Sequence, residues 1–365
     1  MRTAPFPSSG PLTALLATTF GMFACSDPPD GPDSAGPDDP AAVSDNAWSQ
    51  PDLAQAKIAQ TQVIDAAWIP GSTKVAAAIA GTGDGCQLEL IDITSRTIQL
   101  FNHYSRCTTP IAVAPDGRFL YYVPPDCNSQ QPTVHRVNVA DGEAVDPIPV
   151  QGHTCEIGSL AISPDGRWLA FTIWEPGFYL HDLTSGQDTV IVVSDSRGLQ
   201  GSVFFSPDGG ELLSVEYQPG ASSHRLRRLA IATGVSELVT DRLYLPPFAW
   251  TQVGIQYIQY VGGRIGVILT NAETGQRLGT YGNHQSLSWS ADGLHVAGAT
   301  GWCFGYDCRR RRWEVVVADW RTRKALVIAR EDCDALPIAF PGAVSPDGAI
   351  IVYGVCSGTY IWNRE

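Results

Sequence analysis

One short turn recurs seven times in this chain of 365 residues, and hydrophobic residues frame it each time. One hydrophobic residue directly precedes each turn, and another stands three positions after its last residue. Turns that recur in this way predict many short strands joined by hairpins. The seven turns are Ile69-Pro70-Gly71-Ser72, Ala114-Pro115-Asp116-Gly117, Ser163-Pro164-Asp165-Gly166, Ser206-Pro207-Asp208-Gly209, Thr251-Gln252-Val253-Gly254, Ser290-Ala291-Asp292-Gly293 and Ser345-Pro346-Asp347-Gly348.

The spacing of the turns indicates the fold. The last residues of successive turns are 45, 49, 43, 45, 39 and 55 residues apart. Repeats of about 40–45 residues are typical of propeller blades with four strands each. Pro presets φ, Asp hydrogen-bonds its own backbone and Gly accepts a positive φ, so each turn suits the hairpin between the first two strands of a blade. The sequence therefore predicts an all-β fold, a seven-bladed β-propeller of four-stranded blades.

The two ends of this repeat array predict how the ring closes. Third strands are predicted at 86–94, 178–184, 226–233 and 312–320, and the last blade ends with a third strand at 360–365 but no fourth. The segment 57–63 alternates like a strand before the first blade. We expect it to complete the last blade, because an unpaired blade edge leaves backbone groups unsatisfied.

Two further motifs accompany the Ser-Pro-Asp-Gly turns. Gly152-His153-Thr154 precedes the turn of blade three, and His181-Asp182-Leu183-Thr184-Ser185-Gly186 ends its third strand. Together these motifs resemble the TolB-like, WD-related propellers over residues 57–365. The resemblance implies the fold and no particular activity, because such repeats occur in docking proteins and in non-catalytic propellers of some peptidases. The sequence shows neither the α/β domain of TolB nor a hydrolase domain.

The N-terminal residues predict export. Residues 1–25 combine a short positive start with an apolar stretch, and Met22-Phe23-Ala24-Cys25 resembles a bacterial lipobox in which Cys25 is lipidated. The alternative is an ordinary cleaved secretory signal. We expect a membrane-anchored lipoprotein of the bacterial cell envelope, facing the periplasm or the cell surface; the alternative is a secreted protein.

An acidic segment separates the signal from the propeller. Residues 26–52 contain seven aspartates and no Lys or Arg, which predicts a disordered tether before a propeller at 53–365. Without these aspartates and Arg2 the chain keeps 30 acidic and 23 basic residues, a formal charge near −7. Nucleic acid is therefore not expected as a partner, because phosphate binding requires clustered positive charge.

Besides Cys25 the chain has eight cysteines, and in an exported protein we expect disulfides. The predicted strands place all eight at one end of the propeller, opposite the turns. About 105 pairings are conceivable, and near-neighbour pairing (86–107, 127–155, 303–308 and 333–356) is the simplest. The alternative is a metal site of Cys303 and Cys308 with Cys333. The eight are Cys86, Cys107, Cys127, Cys155, Cys303, Cys308, Cys333 and Cys356.

The longest insertion lies in blade six and predicts a partner-binding surface. Aromatic residues stand beside a run of arginines there, and both residue types dominate binding hot spots. The alternative is a disulfide-clipped hairpin with solvated arginines. The candidate partner-binding residues are Trp302, Phe304, Tyr306, Arg309 and Arg310.

Catalytic motifs are not evident in the sequence. It contains no Gly-x-Ser-x-Gly elbow, no His-Glu-x-x-His pair and no phosphate-binding loop, so we expect no cofactor. Four residues are expected near the mouth of the central channel, where a metal could bind: Asp65, His153, Glu156 and His284. The favoured function is a scaffold that binds an envelope protein or a glycan through its cysteine-rich face. The alternative is an extracytoplasmic hydrolase or lyase with a metal in the channel.

Lipidation at Cys25 is directly testable. We expect globomycin to block processing of the full-length protein, because lipoprotein maturation requires the lipidated cysteine. The variant Cys25→Ser should accumulate as the unprocessed form on an immunoblot of the membrane fraction. Normal processing of Cys25→Ser would instead indicate an ordinary secretory signal.

Overall fold

The computed structural model describes residues 57–59, 63–80, 86–104, 110–123, 133–149, 157–173, 178–191, 200–216, 224–261, 264–270, 277–281, 286–290, 292–304, 310–319, 322, 324–333, 340–355 and 357–364. The predicted signal with Cys25 and the tether at 26–52 lie outside these residues.

All regular structure in this described part is β-strand. It begins with β1 (Lys57–Ala59). The first three blades contain β2 (Val63–Trp68), β3 (Lys74–Ala80), β4 (Cys86–Asp92) and β5 (Thr97–Tyr104); β6 (Ile111–Val113), β7 (Phe119–Tyr122), β8 (Thr133–Asn138) and β9 (Ala144–Pro149); and β10 (Ile157–Ile162), β11 (Trp168–Ile173), β12 (Phe178–Asp182) and β13 (Gln187–Ile191).

The remaining blades follow in chain order. They contain β14 (Gln200–Phe205), β15 (Glu211–Glu216), β16 (His224–Ala230) and β17 (Ser236–Thr251); β18 (Gly254–Val261), β19 (Arg264–Thr270) and β20 (Arg277–Tyr281); β21 (Ser286–Trp289), β22 (His295–Phe304), β23 (Arg310–Asp319) and β24 (Lys324–Cys333); and β25 (Phe340–Val344), β26 (Ile350–Val355) and β27 (Gly358–Asn363). Among the residues described, no helix is long and apolar enough to cross a membrane.

The strands form seven antiparallel groups of four, as the sequence predicts. Blades four and five share the 16-residue strand β17, which is the outer strand of one and the inner strand of the other. In the last blade the order is β1-β27-β26-β25, with Lys57 opposite Tyr360 and Ala59 opposite Thr359. Val63 of the predicted closing segment belongs instead to β2. That β1 holds the ring closed remains a prediction.

Each Ser-Pro-Asp-Gly turn is stabilised by its own side chains. In blade three the Ser163 hydroxyl donates to Asp165, which accepts the Arg167 N–H at 3.0 Å, and Ser163 Oγ accepts the Trp168 N–H at 2.8 Å. Gly166 takes a φ of 72° there, and Gly142, Gly186 and Gly234, in the hairpins between third and fourth strands, are likewise left-handed. The turns therefore form through local chemistry that the sequence specifies.

The hydrophobic core is divided among the blade junctions. Successive side chains of a strand point to opposite faces, so each second strand contacts both neighbouring blades. In β7, for example, Leu120 and Tyr122 join the cluster shared with blade one, whereas Tyr121 joins Phe171 in the cluster shared with blade three. Among the described residues there are six such clusters, at junctions 1/2, 2/3, 3/4, 4/5, 6/7 and 7/1.

Some strand ends differ from prediction. Cys303 and Cys333 lie within strands, at the ends of β22 and β24, whereas Cys86 begins β4 where the third strand of blade one is predicted to start. The predicted third strand of blade six also starts too late, because β23 begins at Arg310 rather than Arg312. Backbone pairing continues through these polar and aromatic residues, which hydrophobic alternation alone does not identify as strand.

Phe171 tests the packing between blades. Its side chain is fully buried and stacks on Tyr179 with ring centroids 5.2 Å apart. We expect Phe171→Ala to lower the free energy of unfolding in urea by about 3–5 kcal/mol, because a large cavity opens between two blades. Phe171→Leu is the control and should cost less than about 1.5 kcal/mol. An alanine variant as stable as the leucine variant would contradict this packing.

Candidate functional site

The propeller has two ends, here named by their connections. The turn face carries the seven turns between first and second strands, and the loop face is the opposite end. The partner-binding residues predicted in blade six belong to the loop face, whereas the cavity described below opens at the turn face.

Among the described residues, blade six extends further at the loop face than the other blades do. Its strands β22, β23 and β24 have ten residues each, whereas second and third strands elsewhere have four to eight. All second strands start within two residues of their turn, so the surplus lies at the loop face. β22 reaches Phe304, eleven positions after Gly293, whereas other second strands stop five to eight positions after their turn. At about 3.3 Å per residue the extension is about 10 Å or more.

We name this extension the blade-six ribbon; it comprises 299–304, 310–315 and 329–333. Phe304 stands opposite Arg310, and Trp302 stands opposite Arg312, which in turn faces Asp332. The register thus places aromatic and arginine positions next to each other across the ribbon. Three of the predicted partner-binding residues, Trp302, Phe304 and Arg310, are therefore strand residues. Tyr306 and Arg309 lie outside the described part of the chain.

The base of the ribbon is fixed by ion pairing and by the next blade. The Arg330 Nε donates to Glu314 Oε1 at 2.9 Å across two neighbouring strands. Glu331 Oε2 accepts the backbone N–H of Ser357 in blade seven at 3.2 Å. The ribbon therefore continues the blade-six sheet, and the base of the ribbon is attached to blade seven.

The register also constrains the predicted disulfides. Cys303 and Cys333 both stand opposite Arg311, so they lie two strands apart. Two strand spacings are about 9.6 Å, which exceeds the roughly 7 Å that a disulfide can bridge. A bond between these two cysteines is therefore not compatible with this sheet. Cys107, Cys127, Cys155, Cys308 and Cys356 lie outside the described residues, and the predicted pairings remain predictions.

A cavity of about 440 Å³ opens in the central channel at the turn face. Inner strands of four blades supply its walls, so it lies on the propeller axis rather than between two blades. Most of its lining residues are apolar, although polar and apolar atoms contribute about equally to its surface. The Ser206 and Thr251 hydroxyls donate to Asp208 and to the Gly254 carbonyl. No residue of this lining ionises in the physiological range. The lining consists of Ile111, Ala112, Val113, Leu160, Ala161, Ile162, Pro164, Phe204, Phe205, Ser206, Pro207, Trp250, Thr251 and Gln252.

Asp65 lies next to this cavity and joins two blades. Its carboxylate accepts hydrogen bonds from the backbone N–H of Ile111, in the first strand of blade two, and from that of Ala66. Ser159, at the same position of blade three, accepts the Val203 N–H of blade four at 3.1 Å. The shared geometry assigns Asp65 a structural role, since a neutral hydroxyl performs it elsewhere in the ring.

The surroundings of Asp65 alter its acidity. The side chain is open to channel water, yet the inner strands surround it. Desolvation by these strands raises the pKa of Asp65 to about 6, although the two backbone hydrogen bonds act to lower it. Its predicted companions His153, Glu156 and His284 lie outside the described residues. Within the part of the chain that the structure describes, no three His, Cys, Asp or Glu side chains converge to hold a metal ion.

A buried amide at the junction of blades five and six was not predicted. Blade five has Thr-Gln-Val-Gly in place of Ser-Pro-Asp-Gly. Gln256 is fully buried there; its Nε2 donates to the Gly293 carbonyl at 2.8 Å, and its Oε1 accepts the Trp289 indole N–H at 2.6 Å. The irregular turn of blade five was the sequence feature that could have indicated this buried amide. The partner of the amide lies in another blade, which turn chemistry alone does not reveal.

Comparison with known proteins supports the fold. No protein-family model matches the sequence, and no curated protein is similar to it. Among solved structures, the Myceliophteria thermophila Cps50 (Swd1) β-propeller domain has a TM-score of 0.58 and 14% identity over 83% of this chain and 98% of that one. Kuenenia stuttgartiensis hydrazine synthase has a TM-score of 0.56 and 16% identity over 87% of this chain and 98% of that one.

These two structures confirm the resemblance to WD-repeat-related propellers for the fold. A weaker similarity, which adds nothing to this conclusion, is to TolB from Acinetobacter baumannii, with a TM-score of 0.48 and 18% identity over 66% of this chain and 58% of that one. Identities this low bear on architecture only. A propeller of this kind is compatible with a protein-binding scaffold, and a finer assignment depends on the site itself.

Asp65 gives a pH-dependent prediction. A carboxyl group whose pKa is higher in the folded than in the unfolded protein destabilises the fold as the pH rises through that interval, here from about 4 to 6. Asp65→Asn keeps an oxygen acceptor for the Ile111 N–H and removes the charge. We expect the stability of Asp65→Asn, relative to the unaltered protein, to be greater at pH 7 than at pH 4.5 in urea titrations. An equal difference at both pH values would show that Asp65 titrates normally.

Proposed function

We propose that this protein is an extracytoplasmic, membrane-anchored scaffold that binds an envelope protein or a glycan at the loop face. The observation that carries the proposal is the blade-six ribbon, whose three paired strands extend about 10 Å or more beyond the second strands of other blades. An extension of this kind adds surface that the core of the propeller does not require.

The residue types of the ribbon suit partner binding. Trp302, Phe304, Arg310 and Arg312 occupy neighbouring cross-strand positions. Aromatic and arginine side chains provide large contact area and hydrogen bonds of fixed geometry, and aromatic rings also stack on sugars. Backbone pairing orders these positions before a partner arrives. Less conformational entropy is then lost on binding.

The proposed location depends on the N-terminal sequence and the cysteines. A lipidated Cys25 followed by the acidic tether would hold the propeller at a bacterial membrane. The eight remaining cysteines suit an oxidising compartment. The register excludes a bond between Cys303 and Cys333, which is not among the near-neighbour pairings proposed for these cysteines.

The alternative function is an enzyme with a metal in the channel. The chemical observation in its favour is the raised pKa of Asp65, because active sites often contain such groups. The hydrogen bond from Ile111 explains the position of Asp65 without catalysis, and the described residues that line the cavity include no general acid or base. The scaffold is therefore the function that the geometry supports best.

Site-specific photocross-linking tests the scaffold. A benzoylphenylalanine replaces Phe304 in the ribbon of the full-length protein, or replaces Gln187, an exposed turn-face residue of blade three, as the control. In source cells we expect ultraviolet light to produce one discrete cross-linked species from position 304 and none from position 187. Adding Arg310→Ala should lower its yield severalfold, because a hot-spot contact is lost.

Mass spectrometry and glycosidase treatment of the species would distinguish a protein from a glycan. Equal products from both positions, or none from position 304, would contradict a loop-face scaffold. In the latter case the channel cavity becomes the place to seek a ligand.

A further inference from the structure

Blades two and three each have an arginine directly after the turn, but the surroundings of its guanidinium group differ. In blade three, Arg167 follows Gly166, and its Nε and Nη2 donate to Asp182 Oδ2 at 3.2 and 2.9 Å. Asp182 ends the third strand opposite Trp168, and its other oxygen accepts the Thr184 N–H at 2.8 Å. Carboxylate and guanidinium therefore neutralise each other within this blade.

The equivalent position of blade two holds an amide. Arg118 follows Gly117, and the residue opposite Phe119 is Asn138. Asn138 Oδ1 accepts the Ala140 N–H at 2.9 Å, which reproduces the cap of blade three. Its Nδ2 donates to Asp141 Oδ2 at 3.2 Å. The Asn138 Nδ2 donor thus takes the place of the Asp182 oxygen that accepts from the guanidinium in blade three. Arg118 therefore cannot form the bond that Arg167 makes.

Arg118 has no acceptor for its guanidinium within the described residues. The side chain is exposed, and its guanidinium carbon lies 5.5 Å from the centroid of the Phe119 ring. Asp116 is the nearest acidic residue along the chain, but its Oδ1 accepts the backbone N–H of Arg118 at 2.9 Å. The ring positions the guanidinium and leaves its N–H donors available.

A second guanidinium contacts the same ring. The Arg136 guanidinium carbon lies 5.0 Å from the Phe119 centroid, and Arg136 hydrogen-bonds the Tyr121 side chain. Its Nε is buried without a hydrogen-bond partner. Two positive groups therefore contact one aromatic ring, and neither forms an ion pair with a carboxylate among the described residues, although the charge of Asp116 acts on the neighbouring Tyr121. An unpaired, partly buried cation is costly, and an incoming anion would remove part of that cost.

We propose that Arg118, with the added positive charge of Arg136, binds a carboxylate of a partner protein at the turn face. The group would be an Asp or Glu side chain or a C-terminal carboxylate. It takes the role that Asp182 performs within blade three, where the same fold accommodates this chemistry. The site lies on the face opposite the blade-six ribbon. A test of this site therefore does not depend on the function proposed above.

Acetate serves as the probe for this site. The Arg Nε–H signals of the full-length protein are followed by NMR during titration with sodium acetate, with sodium chloride at equal ionic strength as reference. Arg118→Gln identifies the Arg118 signal by its absence. We expect that signal to shift saturably with acetate and not with chloride, because a guanidinium fork pairs with both oxygens of a carboxylate.

Two variants separate the proposal from a general charge effect. Asn138→Asp should supply the missing carboxylate from within, so the acetate response should fall at least tenfold. Arg167→Gln, in the blade that is already neutralised, should leave it unchanged. Unsaturable shifts, or an undiminished response in Asn138→Asp, would overturn the proposal. Sulfate binding ten times tighter than acetate would overturn the choice of a carboxylate.

Discussion

Burial of every second strand against two neighbours is the constraint on which this structure depends. A four-stranded blade has two apolar faces, because both faces of its middle strands carry apolar side chains. Leu169 and Phe171 of β11 pack on blade two, whereas Ala170 packs on blade four. No blade can bury both faces alone. The chain must therefore arrange its blades in a circle, and the junction of blades seven and one must be packed like the others, as Val75 and Val352 show.

Within this regular ring, departures from the repeat indicate individual functions. The turn chemistry of Ser163 and Asp165 recurs with little variation, and it stabilises the hairpins without involving neighbouring blades. Where the repeat changes, a neighbouring blade or the solvent becomes the partner. Gln256 adds hydrogen bonds to blade six beside its bond to Thr251 of the turn, and Asn138 leaves Arg118 without the acceptor that Arg167 has. Comparison among blades thus provides an internal reference for such features.

The sequence predicts the architecture well because its determinants are local. Turn spacing gives the number of blades, and the left-handed φ of Gly142, Gly186 and Gly234 follows from hairpin chemistry. The extent of the blade-six ribbon is not local. Its ladder continues through Phe304 and Arg310, which are assigned to the insertion from the sequence, because the partner strand supplies the hydrogen bonds.

The cavity and the arginine site were harder to predict for a related reason. The cavity exists where inner strands of four blades meet, and no segment of sequence contains that arrangement. The availability of Arg118 depends on one amide twenty residues away, in a position recognisable only after the strands are paired. The sequence thus predicts the loop face in outline. The chemistry of the turn face can be recognised only from the register of the paired strands.

The most direct test of the account is native-state hydrogen exchange across all blades. Because each blade relies on both neighbours, second-strand amides such as those of Ala77, Phe171, Leu213 and Val352 should open with the same free energy and the same dependence on denaturant. That free energy should equal the global value for unfolding. If amides of blades one and seven instead open at a distinctly lower free energy than the rest, the ring is not closed at that junction and the central claim is wrong.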